Sequence, residues 1–178
     1  MIYLASSSPR RKELMEKANI PFKIEVIKTN EIFNKELPFN DALIDIAYQK
    51  GLPVHQKHPQ DITISADTIV LLDDEILGKP KDLDDARRIL KKLNGKCHLV
   101  KTSVVIFKPN TTIKFTETTK VYFKTLSNED IERYITKENV LDKAGAYAIQ
   151  STIKIVDHIE GNYNNVVGFP IERIIKYL

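Results

Sequence analysis

The sequence has almost no cysteine, since Cys97 is the only one among its 178 residues. A single cysteine excludes an internal disulfide framework and is typical of proteins in a reducing compartment. No apolar run approaches the roughly 18 residues that a transmembrane helix needs, and the start of the chain lacks the pattern of a signal peptide. We therefore expect a cytoplasmic protein that does not bind a membrane.

Charge of one sign is also scarce. The net charge is only +3 although the isoelectric point is near 8.8, and like charges never form a long block. Such a small excess does not favour nucleic acid as a partner. The hydrophobic fraction of 42% and charged fraction of 29% are ordinary for a globular protein, and the length predicts one domain over residues 1–178.

Hydrophobic periodicity alternates between strand and helix spacing along the chain. The predicted strands are 1–5, 22–27, 62–72, 97–107, 112–124 and 153–159, with EILGKP as a hairpin partner of the third. The predicted helices are 9–18, 41–50, 84–93, a helix capped by Ser127, and one from about 171. Residues 51–61 and 161–170 are predicted loops. The pattern predicts an α/β fold, with a mixed sheet flanked by helices.

The stretch LASSSPRR, residues 4–11, places two arginines where a helix is predicted to start. Ser8 suits the capping position and Pro9 the first helical position. Arg10 and Arg11 then fall in the first turn, where the helix dipole disfavours positive charge. A bound anion would reverse that penalty. The alternative is a solvated basic patch paired with a carboxylate elsewhere.

A second unusual position is Asp67, which lies in the middle of the apolar strand DITISADTIVLL. Strand alternation puts Asp67 on the same face as Thr63, Ser65 and Ile69. A carboxylate in such a strand requires a cation, a metal or water, because burying it alone costs several kcal/mol. Both a functional carboxylate and a structural salt bridge agree with this pattern.

Two loops carry further candidates. Lys79 stands between Gly78 and Pro80, where proline restricts the backbone and so the direction of the lysine. Gln150 ends the small-residue stretch LDKAGAYAIQ, and its amide offers donors and an acceptor that suit the edge of a base. The alternatives are an exposed turn lysine and an exposed glutamine in a tightly packed connection.

Four segments occur in order along nearly the whole chain: LASSSPRRKEL, SADTIVLLDDEILGKP, LDKAGAYAIQ and IEGNYNNVVGFPI. The connecting segments DIAYQKG, LNGKCHLVKTSVVI and TTKVYFKTLSNEDIERYI also fit. In this order and spacing they resemble the Maf family of nucleoside triphosphate pyrophosphatases, also called septum formation inhibitor proteins. The resemblance implies an elongated mixed sheet with a central cleft, similar to inosine triphosphate pyrophosphatases. It also implies a divalent cation, Mg²⁺ or Mn²⁺, and a homodimer.

The resemblance implies roles for individual residues as well. The catalytic acid matches Asp67, and Glu31 matches an acid associated with the metal or water, so both are candidate metal ligands. The positions that match phosphate-binding residues are Ser6, Ser8, Arg10, Arg11, Lys50 and Lys79, the last also in the catalytic set. Specificity is linked to the positions of Arg10, Thr68 and Gln150, and the ending AGAYAIQ is similar to the subfamily that prefers dTTP and UTP.

The chain departs from the family pattern at two places. Asn30 replaces an acid that usually precedes Glu31, and Ser151-Thr152 replaces a glycine and a small residue after Gln150. We predict hydrolysis of dTTP and UTP, with modified pyrimidine nucleotides as further substrates, as nucleotide-pool housecleaning. Asp67 is either the base that activates water or a metal ligand. The alternatives are a non-catalytic nucleotide-binding regulator of cell division and a pyrophosphatase for other modified nucleotides.

Overall fold

The computed structural model describes all 178 residues, as alternating strands and helices. The strands are β1 (Ile2–Leu4), β2 (Lys23–Ile24), β3 (Ile62–Leu72), β4 (Glu75–Leu77), β5 (Cys97–Lys108), β6 (Thr111–Phe123) and β7 (Val156–Glu160). The helices are α1 (Pro9–Lys17), α2 (Phe39–Lys57), α3 (Leu83–Leu93), α4 (Asn128–Lys137), α5 (Tyr163–Val167) and α6 (Ile171–Ile175). A 3₁₀ turn spans Ala144–Ala146.

The seven strands form one mixed sheet, in the order β2-β1-β3-β5-β6-β7 with β4 beside β3. Strand β1 runs parallel to β2 and β3, and Leu4 lies opposite Ile64. The β3–β4 and β6–β7 pairs are antiparallel. A two-residue turn joins β3 to β4, which only an antiparallel pair permits. The predicted mixed sheet flanked by helices is confirmed.

Contacts divide the chain into two compact units, each built from separated segments. The first consists of Met1–Asp67, Thr102–Glu117 and Gly168–Leu178, and the second of Thr68–Lys101 and Thr118–Val167. In the first unit, Ala47 of α2 packs on Val105 and Phe107 of β5. In the second, the apolar sides of α3 and α4 share a larger core with the sheet, for example at Leu90 and Tyr134. Strands β3, β5 and β6 contribute residues to both units.

The expected loop at 51–61 is wrong in part, because α2 continues through Pro53 to Lys57. Proline in a helix interior removes a backbone hydrogen bond and is normally disruptive. Here the packing outweighs that cost. The rings of Tyr48 and His55, two helical turns apart, both lie 5.1 Å from the ring of Phe107. A contact with a distant strand therefore keeps the helix intact beyond its local stop signal.

The loop expected at 161–170 is also wrong in part, since it contains α5. Asn162 Oδ1 accepts a hydrogen bond from Asn165 N at 2.7 Å, which closes the first turn of this short helix. The buried Asn165 amide then donates to Val100 O at 3.1 Å and to Thr119 Oγ1 at 3.0 Å. These partners lie on other strands, so local sequence did not reveal them.

Two terminus predictions had different outcomes. Ser127 and Asp130 form the predicted capping box at the start of α4. Ser8 occupies the N-cap position of α1, with Pro9 first in the helix, but its side chain makes no capping hydrogen bond, so that part was wrong.

Strand β2 has two residues instead of the six expected over 22–27, because its partner β1 ends at Leu4.

Candidate active site

The turn from β1 into α1 is fixed by the hydroxyl group of Ser6. Ser6 is buried, and its Oγ accepts hydrogen bonds from Ser8 N at 3.2 Å and from Arg11 Nη1 at 3.1 Å. The hydroxyl thus fixes the N-cap residue Ser8 through its backbone and leaves the first backbone N–H groups of α1 without a capping side chain. The turn presents the first turn of α1, which contains no acidic residue, as an electropositive surface.

Arg11 ties that turn to two other parts of the first unit. Its Nη1 donates to Ala66 O at 2.7 Å and its Nε donates to Gly168 O at 3.0 Å. The pKa of Arg11 is lowered to about 10, mainly by burial; the charge of Asp67 opposes this shift and that of Arg10 adds to it. Arg11 therefore remains charged at neutral pH. Because Ala66 directly precedes Asp67, the guanidinium holds the backbone beside the candidate catalytic acid.

Lys50 is the cation that the carboxylate of Asp67 requires. Lys50 Nζ, on α2, donates a hydrogen bond to Asp67 Oδ1, on β3. The side chains are 29% and 21% exposed, so both retain contact with solvent. A half-open ion pair of this kind can exchange its partner for a bound anion or a cation, whereas a fully buried pair would lose too much on being broken.

The approach of α2 to β3 that makes this pair possible depends on Gly51. A Cβ atom at Gly51 would lie 2.5 Å from both Ser65 Oγ and Phe107 Cε2. Ser65 Oγ also donates to Ala47 O at 2.6 Å, which fastens the helix to the strand. Ser65 and Asp67 share one face of β3, as strand alternation predicted, and Lys50 is brought to that face by its neighbour Gly51.

Glu31 lies on an exposed segment, where its Oε1 accepts a hydrogen bond from Thr29 Oγ1 at 2.6 Å. The segment is held by Gln49, which sequence reasoning missed. Gln49 Oε1 accepts from Ile32 N, and its Nε2 donates to Ile32 O, both at 2.9 Å. The amide thus pairs with the residue after Glu31 as a neighbouring strand would. The only signal in the sequence was its position before Lys50.

No group of three or more His, Cys, Asp or Glu side chains could hold a metal ion. The chain therefore lacks an all-protein cage for a cation. Magnesium commonly binds through one or two carboxylates, with water and substrate phosphates as the other ligands. The carboxylate of Asp67 suits that arrangement, and Glu31 is a second carboxylate in the same unit.

The remaining candidates lie in the second unit. Thr68 is half-exposed on β3, and Lys79 is exposed in the turn after β4, where it forms no salt bridge. Gly78 O accepts a hydrogen bond from Gly145 N at 3.1 Å, which ties the Lys79 turn to the loop that carries Gln150. Gly145 has a φ of +71°, and a Cβ there would lie 2.8 Å from Val70 Cγ2. Position 145 therefore has no room for a side chain.

A buried pair of aromatic rings supports the same loop. His98 Nε2 and Tyr147 OH are 2.7 Å apart, while His98 Nδ1 has no hydrogen-bond partner. Burial lowers the pKa of His98 to about 4 and raises the pKa of Tyr147 well above its usual value. Both groups are therefore neutral around pH 7, and the bond between them does not depend on a charge.

The first unit thus brings Lys50 to the carboxylate of Asp67, and Arg11, which interacts with the charges of Arg10 and Asp67, holds the backbone beside it. Several cations near a carboxylate suit an anion that carries several charges and must be attacked by water. None of the helices is both long and apolar enough to cross a membrane.

Comparison with known proteins gives a consistent result. Residues 1–178 match the family described as Maf-like protein. A protein of Bacillus cytotoxicus named dTTP/UTP pyrophosphatase is 44% identical over 176 residues, covering 98% of this chain and 92% of its own. A protein of the same name from Bacillus mycoides is 43% identical over 178 residues, covering 99% and 93%. Among solved structures, the Staphylococcus aureus Ham1 protein matches with a TM-score of 0.47 and 13% identity, over 68% of this chain and 71% of that one. The full-length match and these relatives show that the chain belongs to the Maf family.

Proposed function

We propose that this protein is a nucleoside triphosphate pyrophosphatase that hydrolyses dTTP and UTP to the nucleoside monophosphate and diphosphate. The observation that carries the proposal is the Lys50–Asp67 pair, held beside the turn that Arg11 fixes. The relatives named dTTP/UTP pyrophosphatase supply the substrate class. Modified pyrimidine nucleotides are further candidate substrates, in keeping with a housecleaning role.

The triphosphate is the ligand that explains the positive charge of the site. In the proposal, Ser6, Ser8 and Arg10 bind phosphate oxygens, and Arg11 keeps the turn in place and adds its charge. Lys50 and Lys79 neutralise the departing diphosphate. Positioned cations act mainly by stabilising charge that develops in the transition state.

The proposed reaction breaks one P–O bond. A water oxygen attacks the α-phosphorus, the bond from this phosphorus to the bridging oxygen breaks, and diphosphate leaves with the electron pair. The proton of the water passes to the carboxylate of Asp67 or to solvent. Aspartate is a weak base at neutral pH, so Asp67 acts either by accepting this proton or by holding a cation.

We further propose that Mg²⁺ or Mn²⁺ is required, with Asp67 and Glu31 as its protein ligands. The single half-exposed carboxylate of Asp67 fits a cation that takes most of its ligands from substrate and water. When bound, such a cation would neutralise phosphate charge and lower the pKa of coordinated water. Asn30, in place of an acid, contributes a neutral neighbour to Glu31.

For the base, we propose that Gln150 reads its hydrogen-bonding edge, with Arg10 and Thr68 also contributing to selectivity. The exposed Gln150 amide makes no hydrogen bond within the chain, so it is available to a ligand.

A homodimer and a cytoplasmic location are further proposals based on the family resemblance. Light scattering on the purified protein and fractionation of cells test them.

The decisive experiment measures diphosphate release from dTTP, UTP, CTP, ATP and GTP, with Mg²⁺, with Mn²⁺ and with EDTA. Wild-type protein is compared with Asp67→Asn and with the control Asp74→Asn, which alters an exposed turn carboxylate. We expect release from dTTP and UTP that Asp67→Asn lowers about 100-fold or more and that Asp74→Asn retains. Binding without release from any nucleotide would refute the proposal and favour the non-catalytic regulator.

A pH series on the residual activity of Asp67→Asn separates its two possible roles. If Asp67 is the base, adding more metal does not restore activity, and the mutant rate rises with hydroxide concentration. If Asp67 holds the cation, a higher metal concentration partly restores the rate.

A further inference from the structure

The Gln150 side chain stands on a tight turn whose first end is anchored to α4 and whose second end is anchored to Glu138, the residue directly after α4. Ser151 N donates to Ala148 O at 3.2 Å, which closes a four-residue turn with Gln150 in its third position. The amide of Gln150 is exposed at the corner of this turn. Its position therefore depends on how firmly the ends of the turn are held.

The first end is held by a buried tyrosine of α4. Ala148 N donates to the hydroxyl oxygen of Tyr134 at 3.0 Å. Tyr134 has no exposed surface, so the oxygen that accepts this bond is itself fixed by the core. The start of the turn is thereby attached to the helix.

The second end is held by Glu138, four residues beyond Tyr134. Ser151 Oγ donates to Glu138 Oε1 at 2.7 Å and accepts from Ile153 N at 3.0 Å. Ser151 is only 6% exposed, and a hydroxyl bound to a carboxylate is among the stronger hydrogen bonds in proteins. Glycine or alanine at position 151 could make neither side-chain bond. Ser151 is one of the two places where this chain departs from the family pattern.

We propose that Ser151 and Glu138 are a positioning pair that sets the place of Gln150 and, through it, the base selectivity of the enzyme. The inference rests on the proposed function, in which Gln150 reads the base. Uracil and thymine present an N–H donor at N3 and an acceptor at O4, whereas cytosine presents an acceptor at N3 and a donor at N4. One amide matches either order only by turning over. A turn held at both ends restricts how the amide approaches the base and therefore favours one order.

The test compares kcat and KM for UTP and CTP in wild-type protein and in Ser151→Ala, Ser151→Thr, Glu138→Gln and the double variant Ser151→Ala/Glu138→Gln. The control is Thr152→Ala, which alters an exposed hydroxyl beside the pair. In Ser151→Ala we expect the UTP:CTP ratio of kcat/KM to fall about tenfold, the effect expected from losing one hydrogen bond to a charged group. The fall should arise mainly from a higher KM for UTP. Threonine at 151 should restore the ratio, and the double variant should be no less selective than Ser151→Ala.

Several results would overturn the inference. One is an unchanged UTP:CTP ratio in a folded Ser151→Ala protein; another is an equal loss on both nucleotides, which indicates a purely structural role. If Ser151→Ala does not fold, Glu138→Gln decides alone, because it keeps an acceptor oxygen and should reduce the ratio less than tenfold but measurably. Wild-type protein that releases no diphosphate would instead refute the proposed function. Wild-type activity with no dependence on the pair refutes only this inference.

Discussion

Lys50 donates a hydrogen bond to Asp67 across the space between helix α2 and strand β3. The two residues are 17 positions apart in the sequence. Their meeting depends on the close packing of Gly51 against Ser65 and Phe107. Lys50 is the cation that an aspartate in an apolar strand needs, and the pair is the centre of the candidate active site. Three predictions concern this pair and the contacts around it, and a fourth concerns the buried His98.

Replacing Lys50 by methionine should impair activity far more than stability. The substitution keeps the length of the side chain but removes its charge, so we expect kcat/KM for UTP to fall about 100-fold. The pair is partly exposed, so the free energy of unfolding should change by no more than about 1 kcal/mol. Steady-state kinetics and denaturant unfolding measure the two effects. Lys57→Met removes the partner of Glu25 at the end of the same helix and is the matched control. If Lys50→Met keeps the wild-type kcat/KM, the pair is a structural salt bridge without a role in the reaction.

Gly51→Ala should move α2 away from β3. The new methyl group would lie 2.5 Å from two side chains that packing holds in place, and such overpacking costs about 1–3 kcal/mol. We expect a lower unfolding free energy together with a lower kcat/KM, because Lys50 moves with the helix. Gly78→Ala is the comparison, since a Cβ there meets nothing within 4 Å. Equal stability of the two variants would show that the helix does not depend on Gly51.

Arg11→Lys should weaken the hydrogen bonds that connect α1 to β3 and to the residues before α6. One ammonium group has no planar fork with which to reach Ser6, Ala66 and Gly168 together. Each carbonyl left without a partner costs about 1–3 kcal/mol where it is buried, so we expect a lower melting temperature and a higher KM for the triphosphate. Arg133→Lys, which changes an exposed pair with Asp130, is the control. If the lysine variant is as stable as the wild type, Arg11 contributes only its positive charge and its hydrogen bonds do not stabilise the fold.

His98 should make the fold less stable in mild acid. Its pKa is about 4 in the folded protein, against an ordinary value of 6.5. Between these pH values the unfolded chain binds a proton that the folded chain does not. Stability therefore falls as the pH drops from about 6.5 to about 4, by about 3 kcal/mol in total from this residue.

Urea unfolding at several pH values measures this loss. His98→Asn should be less stable than the wild type at pH 7 but should lose less stability on acidification. Ile131→Val, which removes a buried methylene group and no titrating group, should keep the wild-type dependence on pH. The same slope in His98→Asn and in the wild type would show that His98 does not cause the acid sensitivity.

Much of the secondary structure followed from local signals. Strand β3 has the predicted bounds of 62 and 72, because its run of β-branched and apolar residues favours an extended backbone. The capping box of Ser127 and Asp130 lies within four residues, and a pattern that short needs no tertiary contact. The resemblance to the Maf family, carried by segments in order along the chain, is confirmed by the full-length family match.

The wrong predictions of secondary structure arose where contacts with residues distant in the sequence determine whether a helix forms. Helix α2 continues past Pro53 because Phe107, more than fifty residues further on in the sequence, packs against two of its turns. Likewise, α5 forms around an asparagine whose partners lie on other strands. The roles of the site residues stay predictions until the variants are measured.

Local patterns along the chain specify most helices and strands, the family, and the residue types available for chemistry, because each depends on neighbours in the sequence. The folded chain alone shows which cation meets Asp67, which carbonyl groups Arg11 holds, and how Ser151 fastens the Gln150 turn to Glu138. Those pairings depend on how closely the chain's own backbone segments approach in space. That approach is set by packing at positions such as Gly51, which no local pattern specifies.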